Sequence, residues 1–294
     1  MYLVAGVTGN TGSVVAATLL DAGARVRVLV RSEEKGATWK ARGAEVAVGR
    51  VDVADDLSSA LAGTQGAYLL VPPDMRATDQ LARARRIVDV MVESVRRSAV
   101  PHVVLLSSIG AQHASGTGPI QSVARAESLL GSLDVALTAV RAAYFVENFG
   151  SVLHPVLGDG VLPAFFDPTL AIPMVATRDI GRVAAEALLA GPRSRRVLEL
   201  AGPKELSHAD VAATFSKLVG REVRVVPVPP EARRAALVGA GVVDDLAGLF
   251  AQMQGGLESG RVAWERTGTE SVRGTVGHEE VLAPMVKAAL GARG

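Results

Sequence analysis

The sequence predicts an α/β fold built on a doubly wound parallel sheet, with a smaller lobe interleaved into the C-terminal half. Three observations carry that prediction. Short β-branched runs alternate with amphipathic helical stretches through the first half, the runs are apolar almost throughout, and a glycine-spaced turn joins the first run to the first helix. Strands covered by crossover helices on both faces read as continuous apolar runs, whereas half-solvated antiparallel strands alternate.

Taken in order, strands are expected over 2–5, 25–30, 45–48, 66–71, 103–107 and 134–140, with helices over 13–22, 57–62, 81–98 and 123–130. The connections are short and carry Gly, Asp or Pro, as βα and αβ loops do. The second half is less regular. Residues 153–173 hold Pro155, Pro163, Pro168 and Pro173 with Gly158 and Gly160, and are expected to be mostly loop. A helix over 175–190 starts near Thr177 and Asp179, read as its cap and first-turn acid, and a strand follows at 197–200. A helix over 209–218 has Ser207 and Asp210 near its start, a strand covers 223–228, and helices cover 231–238, 244–257 and 279–290. The expected division is a nucleotide-binding domain over 1–152, with returns at about 174–201, and a substrate lobe from 153–173 and 202–294.

Composition narrows the function. Of 294 residues 49% are apolar, enough for a large buried core, and the net charge of +1 gives no field favouring nucleic acid or an anionic membrane. There is no cysteine, which removes disulfides, thiolate metal sites and a cysteine nucleophile. The histidines at 102, 113, 154, 208 and 278 include no i,i+4 pair, so no metal site is expected. The chain opens on a strand without a charged-then-apolar leader, and no run approaches the length of a membrane span. A cytoplasmic protein, monomeric or homodimeric, acting on a small molecule is expected.

The stretch "LVAGVTGNTGS" places Gly6, Gly9 and Gly12 between the first strand and first helix. Glycine there permits a tight turn, close approach of a pyrophosphate and tight helix–strand packing, while the helix N-terminus offers free amides to an anion. This is the Rossmann pattern for a nucleotide; a glycine-rich turn without ligand is the competing reading. The second strand ends in Arg31, with Lys35 four residues on. A guanidinium and an ammonium suit the 2′-phosphate of NADP, while Glu33 or Glu34 would serve NAD from beyond the strand end. Asp52 follows the third strand, where a carboxylate can accept from the adenine amino group, and Asp55 and Asp56 read as helix N-terminal acids. Leu70, Val71 and Pro72 end strand four beside the inner ribose, and Ser107 and Ser108 end strand five at the ligand edge.

The segments "VAGVTGNTGSVVAATLL", "VRVLVRSEEK", "VDVADDLSSALAGTQGAYLLVPP", "HVVLLSSIGA", "LTAVRAAYFVENF" and "ATRDIGRVAAEAL" occur in the order seen in one family. Over nearly its whole length the chain resembles the NmrA-like atypical short-chain dehydrogenase/reductases, which include NAD(P)H:quinone oxidoreductases and azoreductase-like members. The resemblance implies NADP(H) as cofactor. It assigns Gly6, Thr8, Gly9, Asn10, Thr11 and Gly12 to the pyrophosphate, Arg31 and Lys35 to the 2′-phosphate, and Asp52 and Val53 to the adenine. It further implies Leu70, Val71 and Pro72 at the ribose and Ser107 and Ser108 near the nicotinamide. Tyr144, Phe145, Glu147 and Asn148 belong to the segment lining the cleft, although Tyr144 and Phe145 read equally as core aromatics.

Hydride transfer needs a proton donor for the developing anion, and the resemblance implies the one used by most relatives in the wider superfamily, a tyrosine with lysine four residues later that lowers the phenol's pKa. Here Tyr2, Tyr68 and Tyr144 are followed at that spacing by Gly6, Pro72 and Asn148, and no lysine lies between Lys40 and Lys204. Val123 stands where some family members keep lysine or histidine. Candidate substitute donors are Tyr144, Ser108 and His113, the last also a candidate substrate contact on the loop after strand five. Phe145, Asn148, Phe149 and Phe166 are the other expected substrate contacts, within an apolar set that includes Phe165 and Met174. Two functions follow: an NADPH-dependent oxidoreductase of a small apolar quinone, enone or aromatic carbonyl, or an NADP(H)-binding redox sensor without turnover.

Overall fold

In the computed structural model, which describes residues 1–291, strand and helix alternate from the start. β1 (Tyr2–Ala5), α1 (Asn10–Asp21), β2 (Val26–Val30), α2 (Glu33–Ala41), β3 (Glu45–Val48) and α3 (Ala54–Leu61) form the first unit. β4 (Gly66–Leu69), α4 (Gln80–Ser98), β5 (His102–Ser108), α5 (Gln121–Leu130) and β6 (Ala136–Ala142) form the second. β7 (Tyr144–Phe145), α6 (Leu153–Asp159), β8 (Val161–Ala164) and β9 (Ile172–Val175) then lead into α7 (Thr177–Leu189) and β10 (Arg196–Ala201). The remainder is β11 (Glu205–Leu206), α8 (His208–Val219), β12 (Arg224–Pro227), α9 (Arg233–Gly239), α10 (Asp244–Glu258), β13 (Glu270–Arg273) and α11 (His278–Gly291).

Eight strands pair in parallel in the order β13-β10-β6-β5-β4-β1-β2-β3. The order reverses between β1 and β4, which opens a crevice at the carboxyl edge where ligands of such sheets collect. Leu3, Val4, Val103, Val104 and Leu105 are completely buried, as strands covered on both faces must be. One apolar core joins α1 and α7 to the sheet, with Leu19, Tyr68, Ile180 and Leu188 at its heart. A second lies on the opposite face, where Leu57, Val88, Met91 and Leu130 from α3, α4 and α5 pack on Leu69 and Leu105.

The third core belongs to the lobe and gathers Phe149, Val156, Leu162, Phe166, Phe215 and Leu282. Its framework is a three-stranded sheet, β11-β9-β7, and a two-stranded parallel ribbon, β12-β8. Half-buried Trp264 touches both this core and the α1–α7 core.

Several elements depart from the sequence expectation. Residues 153–173 were expected to be mostly loop, yet contain α6 and β8 and run into β9. Pro155 falls in the first turn of α6, where its missing N–H has no intrahelical partner to lose. Pro163 sits in a ribbon paired on one side only. α2 was not foreseen because only Gly36 and Trp39 of its nine residues are buried. β13 lies in a stretch assigned to the lobe but extends the main sheet, and its burial pattern is almost wholly exposed. Thr177 is not the cap of α7: its N–H and hydroxyl both donate to Glu147 Oε1, at 2.9 and 2.6 Å, and Ala176 is the capping position. Asp179 is the first-turn acid as expected, buried and accepting the Val276 N–H at 2.9 Å. Among the described residues no helix is long and apolar enough to cross a membrane.

Candidate functional site

The glycine turn emerges from β1 into α1, which begins at Asn10, three residues earlier than expected. Gly9 is its N-cap and the first turn carries no acid, unlike α2 and α3, which carry Glu33 and Glu34, and Asp55 and Asp56. Asn10, Thr11 and Gly12 therefore sit where helical N–H groups have no acceptor within the helix. Gly6 has φ +71°, a left-handed conformation that favours glycine. Gly12 is there for packing: a Cβ on it would lie 2.4 Å from the Gly6 carbonyl oxygen. The Thr11 hydroxyl accepts from the buried Tyr68 hydroxyl at 2.9 Å, which ties the turn to β4. A cradle of this shape fits a pyrophosphate.

A cavity of about 610 Å³ opens beside this turn, at the carboxyl ends of β1 to β4. Gly6, Thr8, Arg31, Lys35, Asp52, Leu70 and Pro72 line it together, from four separate stretches of the sequence. Arg31 and Lys35 are exposed and, among the described residues, take part in no ion pair. Asp52 is met by Arg50, Nε to Oδ1 at 2.9 Å and Nη2 to Oδ2 at 2.7 Å, which holds its carboxyl below the usual range. Val53, Val71 and Gly9 do not line this cavity; Val53 is the exposed N-cap of α3.

Arg50, Arg76 and Arg83 also line the cavity and were not singled out from the sequence. Arg50 follows β3 much as Arg31 follows β2, so the strand-end rule that found one could have found the other. Arg83, in the first turn of α4, donates to the Pro72 carbonyl at 2.8 Å and pairs with Asp74 at 3.4 Å.

The far end of the crevice is different. The Ser107 hydroxyl is not directed to a ligand; it donates to Glu127 on α5, whose carboxylate also receives Arg141 Nε at 2.9 Å and Nη2 at 2.7 Å. Arg141 and Glu127 are 4% and 2% exposed, and Glu265 accepts from the third Arg141 nitrogen, Nη1, at 2.6 Å. The Ser108 hydroxyl donates to the Ile109 carbonyl at 3.1 Å. Half-buried Tyr144 has its phenol pushed up to about 12 by burial, with Asn148 offsetting part of the shift. Val123 is half-buried against the lobe core and supplies no charge, so no cation there opposes the upward shift of that phenol.

Phe149 and Phe166 correct the sequence reading. They are 4% and 3% exposed and pack with Tyr144, at ring-centroid distances of 6.0 and 6.2 Å, and with His208, making them lobe core rather than a substrate wall. Phe145, Asn148 and His113 remain partly or fully exposed. Glu147 went beyond its expected part: besides capping α7, it lines a second cavity of about 410 Å³ with Asn10, and its Oε2 is buried without a partner. Only its place between two cleft residues could have hinted at this.

With that geometry in place, the profile of the NmrA-like family matches residues 2–260. The chain belongs to this family. NAD(P)H azoreductase of Xenophilus azovorans is 28% identical to this NmrA-like chain over 254 residues, 84% of each chain. The NADPH-dependent quinone oxidoreductase of Escherichia coli, solved with NADPH, superposes with a TM-score of 0.81 at 22% identity, over 99% of this chain and 100% of that one. Triphenylmethane reductase of Citrobacter, solved with NADP(H), gives 0.80 at 21% identity over 98% and 100%. At such identities the two structures establish the shared α/β fold.

Proposed function

We propose that the chain is an NADPH-dependent oxidoreductase that reduces a small conjugated, electron-poor acceptor of the quinone type. The observation that carries this reading is the cavity at the strand ends, where unpaired Arg31 and Lys35 face the same space as Gly6 and Asp52. Unpaired cations beside a helix N-terminus free of acids suit a ligand with separated phosphates. Azoreductase, quinone oxidoreductase and triphenylmethane reductase relatives support the same chemistry.

The backbone of Gly6, Thr8, Gly9, Asn10, Thr11 and Gly12 holds the pyrophosphate in this reading. Arg31 and Lys35 hold the 2′-phosphate, Asp52 and Val53 the adenine side, and Leu70, Val71 and Pro72 the inner ribose. When bound, the dihydronicotinamide supplies a hydride. Phe145, Asn148 and His113 border the acceptor, while Phe149 and Phe166 stiffen the wall behind them. Reduction of a quinone leaves a delocalised anion that solvent can protonate, so the chemistry needs neither a tyrosine–lysine pair nor Ser108 as a dedicated acid.

The test is NADPH oxidation with a panel of quinones, azo dyes and aromatic carbonyls. Turnover with quinones or azo dyes is expected. Tight nucleotide binding without turnover of any acceptor above background would leave the sensor reading in its place. Arg31→Ala is expected to raise KM for NADPH about tenfold or more and to leave that for NADH little changed.

A further inference from the structure

The end of β3 runs on beside the end of β2. Val48 is in register with Val30, and the Gly49 N–H donates to the Val30 carbonyl at 2.8 Å. That bond brings Arg50 to the same rim as Arg31, and both side chains face one cavity with Lys35. The backbone of Arg50 is pinned, its N–H donating to Asp56 Oδ2 at 2.9 Å. Its side chain is 61% exposed and, among the described residues, held only by Asp52, two residues away.

This contact has an unusual partner. Asp52 is the carboxylate at the adenine side of the cavity, and Arg50 engages both of its oxygens. An arginine–carboxylate pair this exposed is a weak hold. A phosphate dianion presents the same fork geometry with twice the charge, so it is the better partner for the same guanidinium. The other arginines are less free to answer: Arg83 is anchored to Pro72 and Asp74, and Arg76 stands on the 72–79 segment on the opposite rim.

We propose that Arg50 is a third ligand of the 2′-phosphate and a determinant of cofactor specificity, exchanging Asp52 for the phosphate and so freeing Asp52 for the adenine amino group. This rests on the NADPH reading given above. The 2′-phosphate is thereby sensed twice, by direct contact and by release of the carboxylate. A dinucleotide lacking it leaves Arg50 on Asp52 and forfeits both contacts. Specificity comes from a side-chain exchange on a fixed backbone.

The experiment is calorimetric titration of the full chain with 2′,5′-ADP and 5′-AMP, which differ only in the 2′-phosphate. Wild type is expected to prefer 2′,5′-ADP. Arg50→Ala should weaken 2′,5′-ADP about ten- to hundredfold and leave 5′-AMP unchanged or tighter, since Asp52 is then free. Arg50→Lys, keeping charge but not the fork, should fall between. In the Arg50→Ala background, where Asp52 is free for the adenine, adding Asp52→Asn should weaken 5′-AMP; an unchanged affinity there overturns the adenine half of the proposal. Wild type that does not distinguish the two ligands would sink the NADPH reading itself. A wild-type preference retained in Arg50→Ala, or a loss shared equally by both ligands in a variant with an unaltered melting curve, would overturn the Arg50 assignment alone.

Discussion

At the β2–β3 end of the sheet edge, Arg31 and Lys35 stand around an open cavity with no ion-pair partner among the described residues; at the β6–lobe end, Arg141 is buried and each of its three guanidinium nitrogens donates to a carboxylate. The residue types are the same and the environments opposite. A guanidinium left at a concave rim costs little and waits for an anion, whereas one taken into the interior must carry its counter-charges with it. The cations proposed for the ligand are left open or, like Arg50 on Asp52, held at an exposed rim, and the buried matched ones hold β5, β6 and α5 together.

The strongest way to break this contrast is Arg141→Ala. Removing one partner leaves Glu127 buried and uncompensated, and about 3–5 kcal/mol of unfolding free energy should be lost in a denaturant titration. A loss below about 1 kcal/mol, the range of a surface pair, would show that the two ends are not built differently.

The aromatic end makes a pH prediction. Burial among Phe149 and Phe166 lowers His208 from 6.5 to about 4, because a charged imidazolium there has no partner. A depressed folded-state value means that the unfolded chain binds the proton more readily. Stability is thus full above about pH 6.5 and declines as pH falls towards 4, by about 3 kcal/mol from this group. His102 and His278, also lowered chiefly by burial, add to the same slope. His208→Leu should flatten the stability–pH curve between those values without abolishing the slope; an unchanged curve contradicts the assignment.

The glycine turn separates stability from ligand binding. Gly12→Ala places a methyl against the backbone of Gly6 and Ala5, with contacts of 2.4 and 2.8 Å, so the turn itself must move. Overpacking of this kind costs about 1–3 kcal/mol, and nucleotide affinity measured on the folded fraction should fall by more than about tenfold. A variant that melts early but binds normally would mean that the turn is structural only.

The smallest effect is expected where a catalytic acid would predict a large one. Tyr144→Phe should lower kcat less than about tenfold, against the 10²–10⁴ contributed by a positioned general acid, since burial holds its phenol up at about 12. A hundredfold loss with unchanged KM for NADPH would restore Tyr144 as proton donor.

The same contrast governs what the sequence made legible. Strands β1, β4 and β5 are buried on both faces, so selection for apolar residues wrote them into the sequence as runs. β13 is an exposed edge strand reading Glu-Ser-Val-Arg, and nothing in such a tetrapeptide distinguishes it from loop. Arg31 and Lys35 could be found because a glycine turn and a strand count give them an address. Arg50 has an equally good address, but Asp52 two residues later attracted the functional reading, and an arginine beside an aspartate resembles ordinary surface. Phe149 and Phe166 were misread for another reason. A sequence shows that a segment is aromatic but not which way each ring turns, and here both turn inward.

Trp264 gives the molecule an optical handle. The chain has two tryptophans, and the other, Trp39, is buried in α2 near the β2–β3 edge with the Arg42 guanidinium 5.5 Å from its ring centroid. Because Trp264 is packed where the sheet core and the lobe core meet, a Trp39→Phe protein would emit from the seam alone. Its emission wavelength would report seam hydration in real time, shifting red if the lobe lifts from the sheet before either core melts, and remaining fixed until global unfolding if the two melt as one.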